Sequence, residues 1–190
     1  MNRIILAPRL AICAATLSLA SLALPAAAES ATAGAAAAAT VAQWQPHDLT
    51  LSYSGFTTLY TCDGIEDKVR QILLTFGARK DLKVMATGCS QGASRPSKFA
   101  WVRAEFNSLA PATDPAAAAA VKTAWVKVQI APNRPTYMGT GECELMEQMK
   151  DMLQKGFQLR NVDFRTTCVP HQVTMADYSL TAEVLKSAPP

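Results

Sequence analysis

The chain has few of the residues and motifs on which most enzymes depend. Only two of its 190 residues are histidines, His47 and His171, and neither has a local partner that implies catalysis. The G-x-S-x-G pattern, which presents a serine nucleophile in many hydrolases, occurs once, as "GCSQG" at 88–92, but the elements predicted on both sides of it are strands, whereas the hydrolase turn joins a strand to a helix. Phosphate-binding loops, dinucleotide fingerprints and nucleic-acid-binding motifs are absent. A hydrolase therefore remains only as an alternative in which the fold itself assembles the acidic groups.

A strong charge bias is also missing. The chain has 18 basic and 15 acidic residues, which give a formal net charge of +3 at pH 7. Arg3 and Arg9 lie in a segment that we expect to be removed, and their loss lowers the net charge to +1. A nearly neutral chain has no general electrostatic attraction for polyanions, so we predict no nucleic-acid partner.

The N-terminus has the features of a secretory signal peptide. Arg3 and Arg9 form a basic region, residues 10–24 are apolar and small, and the alanines at 26–28 offer a cleavage site before Glu29. The apolar part is short for a membrane span, and no stop-transfer stretch follows. We therefore predict a signal peptide over 1–28, no transmembrane segment after its cleavage, and a periplasmic or secreted protein.

The rest of the chain divides into three predicted parts. Residues 29–43 are rich in alanine, which buries too little surface to offset the cost of ordering, so a disordered leader is expected there. Residues 44–186 are long enough for a single domain with a hydrophobic core, and 187–190 form a short tail.

Four cysteines remain after the predicted cleavage: Cys62, Cys89, Cys143 and Cys168. An even number in an exported chain indicates disulfides rather than metal ligands, and the C-x₂₋₄-C spacing of zinc sites is missing. Four cysteines allow three pairings.

An internal similarity favours one of these pairings. When Cys62 is aligned with Cys143, Glu66 falls on Glu147 and Arg79 on Arg160, and each unit runs from cysteine through helix and strand to a second cysteine. In a right-handed crossover, the end of the second strand returns to the level of the helix N-terminus. We therefore predict the disulfides Cys62–Cys89 and Cys143–Cys168.

Periodicity predicts the remaining elements. Apolar residues recur at helical spacing from Ile65 to Phe76 and within 142–156, with Asp63 and Glu66 as a capping-box-like start for the first helix. Alternating strands are expected at 49–54, 82–86, 100–106, 124–130, 162–166 and from 178 onwards. The order is β-α-β-β twice, which predicts an α+β fold: two βαββ pseudo-repeats in a two-layer arrangement of helices on a sheet, ferredoxin-like in style.

Three segments carry a resemblance to a known group of proteins. "YTCDGIEDKV", "GARKDL" and "GECELMEQMKDML" followed by "TTCVPH" resemble a group of uncharacterised secreted bacterial proteins, over about 44–186 of this chain. The resemblance implies an exported, disulfide-linked protein and no particular activity.

Two similar strands hold the candidate binding residues. In "AWVRAEF" and "AWVKVQI" one set of alternate residues is apolar, and the opposite set includes Trp101, Arg103, Trp125 and Lys127. If these strands pair, two indoles and two cations share one sheet face. Such a face suits stacking against a sugar, a peptide or an aromatic group. The alternative is that a loop or helix covers the indoles.

A methionine run suggests a second kind of site. Met146, Met149 and Met152 have the spacing M-x-x-M-x-x-M, and thioethers are ligands that Cu(I) prefers. The same positions lie on or near the apolar stripe of the second helix, where methionine commonly fills gaps in a core. We therefore expect no cofactor and keep Cu(I) as an alternative.

These features favour a binding or structural role over catalysis. The prediction is a small exported protein of the bacterial envelope with an unknown ligand, envelope polysaccharide or protein being the expected kinds of partner. The alternatives are a periplasmic Cu(I)-binding protein that uses the methionine run, and a hydrolase whose acids are assembled in the fold.

Overall fold

A computed structural model describes residues 40–89, 95–113, 120–169, 172–173 and 177–188. Eight elements occur in this part of the chain. They are β1 (Thr40–Ser54), α1 (Cys62–Thr75), β2 (Lys83–Thr87), β3 (Phe99–Pro111), β4 (Val121–Ile130), α2 (Cys143–Gly156), β5 (Leu159–Thr166) and β6 (Tyr178–Ser187). The α+β prediction is confirmed.

The strands form one six-stranded antiparallel sheet in the order β2-β3-β1-β4-β6-β5. β1 and β4 are each followed by a helix and two strands, and the last strand of each series lies between the other two. The two series meet at β1 and β4, which pair only over three residues, 40–42 with 121–123. The sheet is therefore continuous across a short central joint.

One face of the sheet packs against both helices to form the main core. Alternate residues of β3, from Ala100 to Phe106, are almost fully buried on this face. The helices contribute the apolar stripes expected from their spacing, and all of these side chains belong to one cluster: Ile65, Val69, Ile72 and Leu73 from α1, and Leu145, Met146, Met149, Met152 and Leu153 from α2.

The start of α1 differs from its prediction. Thr61, and not Asp63, is the N-cap, and its side chain accepts a hydrogen bond from the Gly64 N–H at 3.0 Å. The Glu66 carboxylate points away from the helix end and accepts the Ala86 N–H of edge strand β2 at 2.7 Å. A capping box is absent because the threonine two residues before Asp63 already satisfies the helix N-terminus.

The two expected disulfides are present. Cys62 is joined to Cys89 and Cys143 to Cys168, with Cα–Cα distances of 5.8 and 6.0 Å. Each links the first residue of a helix to the chain just after the following strand. Within the described ranges no helix is long and apolar enough to cross a membrane.

Several boundaries differ from those predicted. β1 begins at Thr40, so residues 40–43 belong to the sheet and not to a leader, because Ala42 is fully buried between β3 and β4. β6 includes Ser187, which was assigned to the tail. Val162 was expected inside but is exposed, because β5 changes register between Arg160 and Asp163. The predicted signal peptide and the remainder of the leader lie outside the described residues.

Candidate functional site

Among the described residues, a group of exposed apolar side chains lies on the sheet face opposite the helices, where β2 and β3 run side by side. Phe99 and Trp101 are two residues apart on β3 and are 56% and 58% exposed. Met85 on β2 is 57% exposed and is paired in register with Arg103 of β3. We call these four residues the Trp101 face.

Hydroxyl groups flank the aromatic residues. In register, Trp101 has Ser52 of β1 on one side and Thr87 of β2 on the other, and Phe99 is beside Ser54. An aromatic surface bordered by hydroxyl groups offers both a flat apolar contact and hydrogen-bonding groups to a ligand.

An ion-pair network closes one end of the Trp101 face. The Arg103 guanidinium donates two hydrogen bonds to the Asp48 carboxylate, at 2.8 and 2.6 Å, and lies 3.2 Å from a Glu105 oxygen. The hydrogen bonds from Arg103 lower the pKa of Asp48, and the same bonds raise the pKa of Arg103. Arg103 is thus held in place, half-exposed, next to the aromatic residues.

The structure separates the predicted binding residues into two groups. β3 and β4 do not pair, because β1 lies between them. Trp101 is eight residues along β3 from Leu109, which pairs with Trp44, and this corresponds to about 27 Å of strand. Trp125 lies near that far end, since it packs against the same small cluster as Trp44. The expectation of paired tryptophan strands is wrong, so Trp101 and Arg103 lie apart from Trp125 and Lys127.

Trp125 is half-buried under an arginine. The Arg160 guanidinium lies 4.3 Å from the centre of the Trp125 ring, and the indole packs against a small apolar cluster of Ala42, Leu109 and Leu185. A similar pair occurs in the first half, where Arg79 lies 5.8 Å from the Trp44 ring. The position of Trp125 leaves Trp101 as the exposed indole.

His47 is beside a serine, the arrangement that a hydrolase would need. Its Nε2 lies 3.0 Å from Ser108 Oγ, and its ring stacks on Phe106 at 5.2 Å. Ser108 is only 2% exposed, and partial burial lowers the pKa of His47. The serine oxygen is therefore closed to a substrate, and the pair satisfies polar groups at the edge of the core. His171 lies outside the described residues.

The methionine run is part of the core. Met146 and Met149 are fully buried, Met152 is 4% exposed, and Met138 is fully buried nearby in the same cluster. These thioethers pack against apolar side chains of both helices and the sheet. Among the described residues, no group of three or more histidine, cysteine, aspartate or glutamate side chains is placed to hold a metal.

Two buried glutamates at the start of α2 were missed by sequence reasoning. Glu142 accepts hydrogen bonds from Tyr60 Oη and the Gly139 N–H, both at 2.8 Å, and pairs with Lys68 at 2.8 Å. Glu144 accepts the backbone N–H groups of residues 56 and 57, at 2.7 and 2.9 Å. Glutamates beside a helix start normally indicate a solvated first turn, and no sequence signal showed that loop 55–61 would cover them.

Comparison with known proteins adds no further assignment. No known protein family, curated protein or solved structure matches this chain.

Proposed function

We propose that the protein is an exported, non-catalytic binding protein of the bacterial envelope that holds a polysaccharide on the Trp101 face. The single observation that carries the proposal is the group of three large apolar side chains, each more than half exposed in the described part of the chain, on the sheet face opposite the helices. Contiguous exposed apolar surface on a soluble protein often marks a binding site.

The choice of polysaccharide rests on the chemistry around Trp101. An indole presents a flat apolar surface that suits the C–H face of a sugar ring. Ser52 and Thr87, in register on either side, supply hydroxyl groups, and Arg103 and Glu105 supply charged hydrogen-bonding groups at one end. A peptide ligand would use mainly backbone hydrogen bonds at a sheet edge. On edge strand β2, however, the Ala86 N–H is already bonded to Glu66.

Export is supported by the cysteine chemistry together with the N-terminal sequence. Both disulfides are present, and disulfides persist mainly in oxidising compartments such as the periplasm and the extracellular space. The basic, apolar and small-residue regions of 1–28 have the order of a signal peptide.

We further propose that the domain is a doubled βαββ unit, ferredoxin-like in style. An offset of 81 residues relates Cys62 to Cys143, Trp44 to Trp125 and Arg79 to Arg160. Three-dimensional contacts support this relation: each arginine lies against its own tryptophan, and each tryptophan pairs in register with a leucine of the neighbouring strand.

Tryptophan fluorescence tests the proposed binding function. Adding envelope oligosaccharides to the oxidised protein should shift the emission to the blue or quench it, because the ligand removes water from the exposed Trp101 ring. Trp101→Ala should abolish the response. Trp125→Phe, which alters an indole already covered by Arg160, is the matched control and should retain it.

Three outcomes would contradict the proposal. The first is an absence of response to a broad oligosaccharide panel, and the second is a response that persists in Trp101→Ala. A response to peptides or lipid vesicles but not to oligosaccharides would retain the Trp101 face as a contact surface and exclude polysaccharide as its ligand.

A further inference from the structure

A second concave site lies at the end of α1, away from the Trp101 face. It is a pocket of about 310 Å³ between the turn that follows α1 and the ends of β1 and β6. Its lining includes Trp44 of β1, Ala78, Arg79 and Lys80 of the turn, and Lys186 of β6. Gly77, also in the lining, has a φ of +95°, and a Cβ there would lie 3.2 Å from Lys186 Cγ. Glycine therefore allows the turn to approach β6 closely.

The charged side chains in this lining all have the same sign. Arg79, Lys80 and Lys186 are basic, and none of the described residues that line the pocket is acidic. Arg79 is partly neutralised because it donates two hydrogen bonds to Asp81, at 2.8 and 2.6 Å. Lys80 makes no ion pair with any residue that the structure describes. The pocket thus keeps an excess of positive charge that a ligand can use.

Lys186 balances the partial negative charge at the end of α1. The C-terminus of a helix carries a partial negative charge, and α1 has no basic residue in its last turn. Lys186 Nζ donates a hydrogen bond to the Thr75 carbonyl oxygen, the last of α1, at 2.7 Å. Its ammonium group retains further N–H donors for a ligand.

Apart from Ser187, the remaining lining of the pocket is apolar. Trp44 is half-buried and packs against the small cluster of Ala42, Leu109 and Leu185. This packing holds its indole in place, and the methylene stem of Lys186 lies opposite Gly77. A flat apolar ring can pack against this surface and displace water from it, whereas an inorganic anion would leave the surface in contact with water.

We propose that this pocket binds a small anion that carries a flat apolar ring, such as an aromatic carboxylate. Its carboxylate contacts Lys80 and Lys186, and its ring lies beside the Arg79 guanidinium, against the part of Trp44 that lines the pocket. The site is independent of the Trp101 face, so either one can fail without the other.

NMR of the ¹⁵N-labelled, oxidised protein tests the proposal with sodium benzoate as the probe, at constant ionic strength. The Trp44 indole N–H signal, assigned from its loss in Trp44→Phe, should shift and saturate at about millimolar benzoate, a concentration typical of so small a ligand. The Trp101 signal should stay in place. Lys80→Gln should weaken binding by about tenfold, since one charge-assisted contact is lost. Lys150→Gln, which removes the same charge from α2, is the control and should bind as well as the unmodified protein.

Two further probes separate the contributions of charge and ring. Inorganic phosphate has the charge without the ring, and benzyl alcohol has the ring without the charge, so both should bind at least tenfold more weakly than benzoate. Equal binding of either would overturn the assigned ligand class. An unshifted Trp44 signal at saturating benzoate, or equal weakening by Lys80→Gln and Lys150→Gln, would overturn the site itself.

Discussion

At the scale of single residues, the most constrained group is the set of tyrosines near Glu142. Tyr60 donates its hydroxyl hydrogen to Glu142, Tyr178 donates to the Gly139 carbonyl, and Tyr53 stacks edge-on against Tyr60 at 5.2 Å. Burial raises the pKa of all three hydroxyls, and the Glu142 carboxylate raises it further. Each side chain therefore remains neutral in the folded protein at a pH that ionises tyrosine in an unfolded chain.

This difference predicts a loss of stability in alkali. The contribution is fully present below pH 10, where unfolded tyrosine is protonated, and falls as the pH rises further, because only the unfolded state then releases protons. Each tyrosine should lower the free energy of unfolding by about 1.4 kcal/mol per pH unit above 10. Urea unfolding at pH 7 to 11.5 measures the free energy of unfolding, which should fall less steeply with pH in Tyr60→Phe than in the unmodified protein. An identical decrease in the two proteins above pH 10 would contradict the prediction.

The burial or exposure of single residues could be predicted from the sequence in some cases and not in others. Alternation along β3 placed Trp101 on the face away from the core, and Trp101 is indeed exposed. The burial of Glu142 and Glu144 was not predictable, because it depends on a loop that is distant in sequence. Tyr60 is 82 residues from Glu142, and no local pattern relates the two.

At the scale of elements, the end of α2 meets the sheet at very close range. A Cβ on Gly156, the last residue of the helix, would lie 2.5 Å from Phe106 Cζ and 3.3 Å from Leu49 Cδ1. The Phe106 ring has little freedom to move aside, since it stacks against His47 at 5.2 Å and Phe157 at 5.3 Å. The absence of a side chain at position 156 sets how closely α2 approaches β1 and β3.

Gly156→Ala should therefore destabilise the protein by about 1–3 kcal/mol through overpacking. The sign is informative, because alanine normally stabilises a helix relative to glycine by about 0.5–1 kcal/mol. Gly139→Ala is the control: its added Cβ would have no neighbour closer than 3.7 Å, so its effect should stay within about 0.5 kcal/mol. Urea unfolding compares the two variants. A Gly156→Ala variant more stable than the unmodified protein would show that the Phe106 ring moves aside.

The elements themselves were largely predictable, whereas their ends were not. The helical spacing from Ile65 onward placed α1, and each predicted strand overlaps an observed one. β1 extends to Thr40 because pairing with β3 and β4 overrides the weak strand propensity of an alanine-rich segment. The exposure of Val162 follows from a register shift beside Asn161, whose φ of 53° is one that asparagine tolerates but that its presence alone does not predict.

At the scale of the whole molecule, the two halves of the sheet are joined by very few backbone pairs. Only 40–42 and 121–123 connect β1 to β4, compared with thirteen paired positions between β1 and β3. Ala42 is the last residue of this joint, pairs with both neighbouring strands and is fully buried. The small cluster that includes Leu109 and Leu185 packs against it.

Ala42→Pro should thus lower the free energy of unfolding by about 3 kcal/mol or more, because proline removes an N–H donor from an internal strand. Urea unfolding followed by far-UV circular dichroism measures the loss. Gln45→Ala, an exposed change on the same strand, is the control and should alter stability by less than about 0.5 kcal/mol. An unchanged unfolding midpoint in Ala42→Pro would show that the joint does not hold the halves together.

The order of the strands in the sheet could not be predicted from the sequence alone. Similar patterns in "AWVRAEF" and "AWVKVQI" suggested that β3 and β4 are neighbours, yet β1 lies between them. Consecutive strands pair only about two-thirds of the time, and residue patterns do not distinguish one apolar partner strand from another. The position of β1 between β3 and β4 also explains why Trp101 and Trp125 do not lie together as predicted.

The disulfide connectivity has a consequence for how the chain matures. Each bond joins neighbouring cysteines of the four, Cys62 to the next one and Cys143 to the last, so the two covalent loops do not overlap. If the chain is exported N-terminus first, as proposed, each of these thiols enters the oxidising compartment just before its correct mate. Oxidation in order of appearance therefore yields the native bonds, and the slow thiol exchange that corrects mispaired intermediates becomes unnecessary.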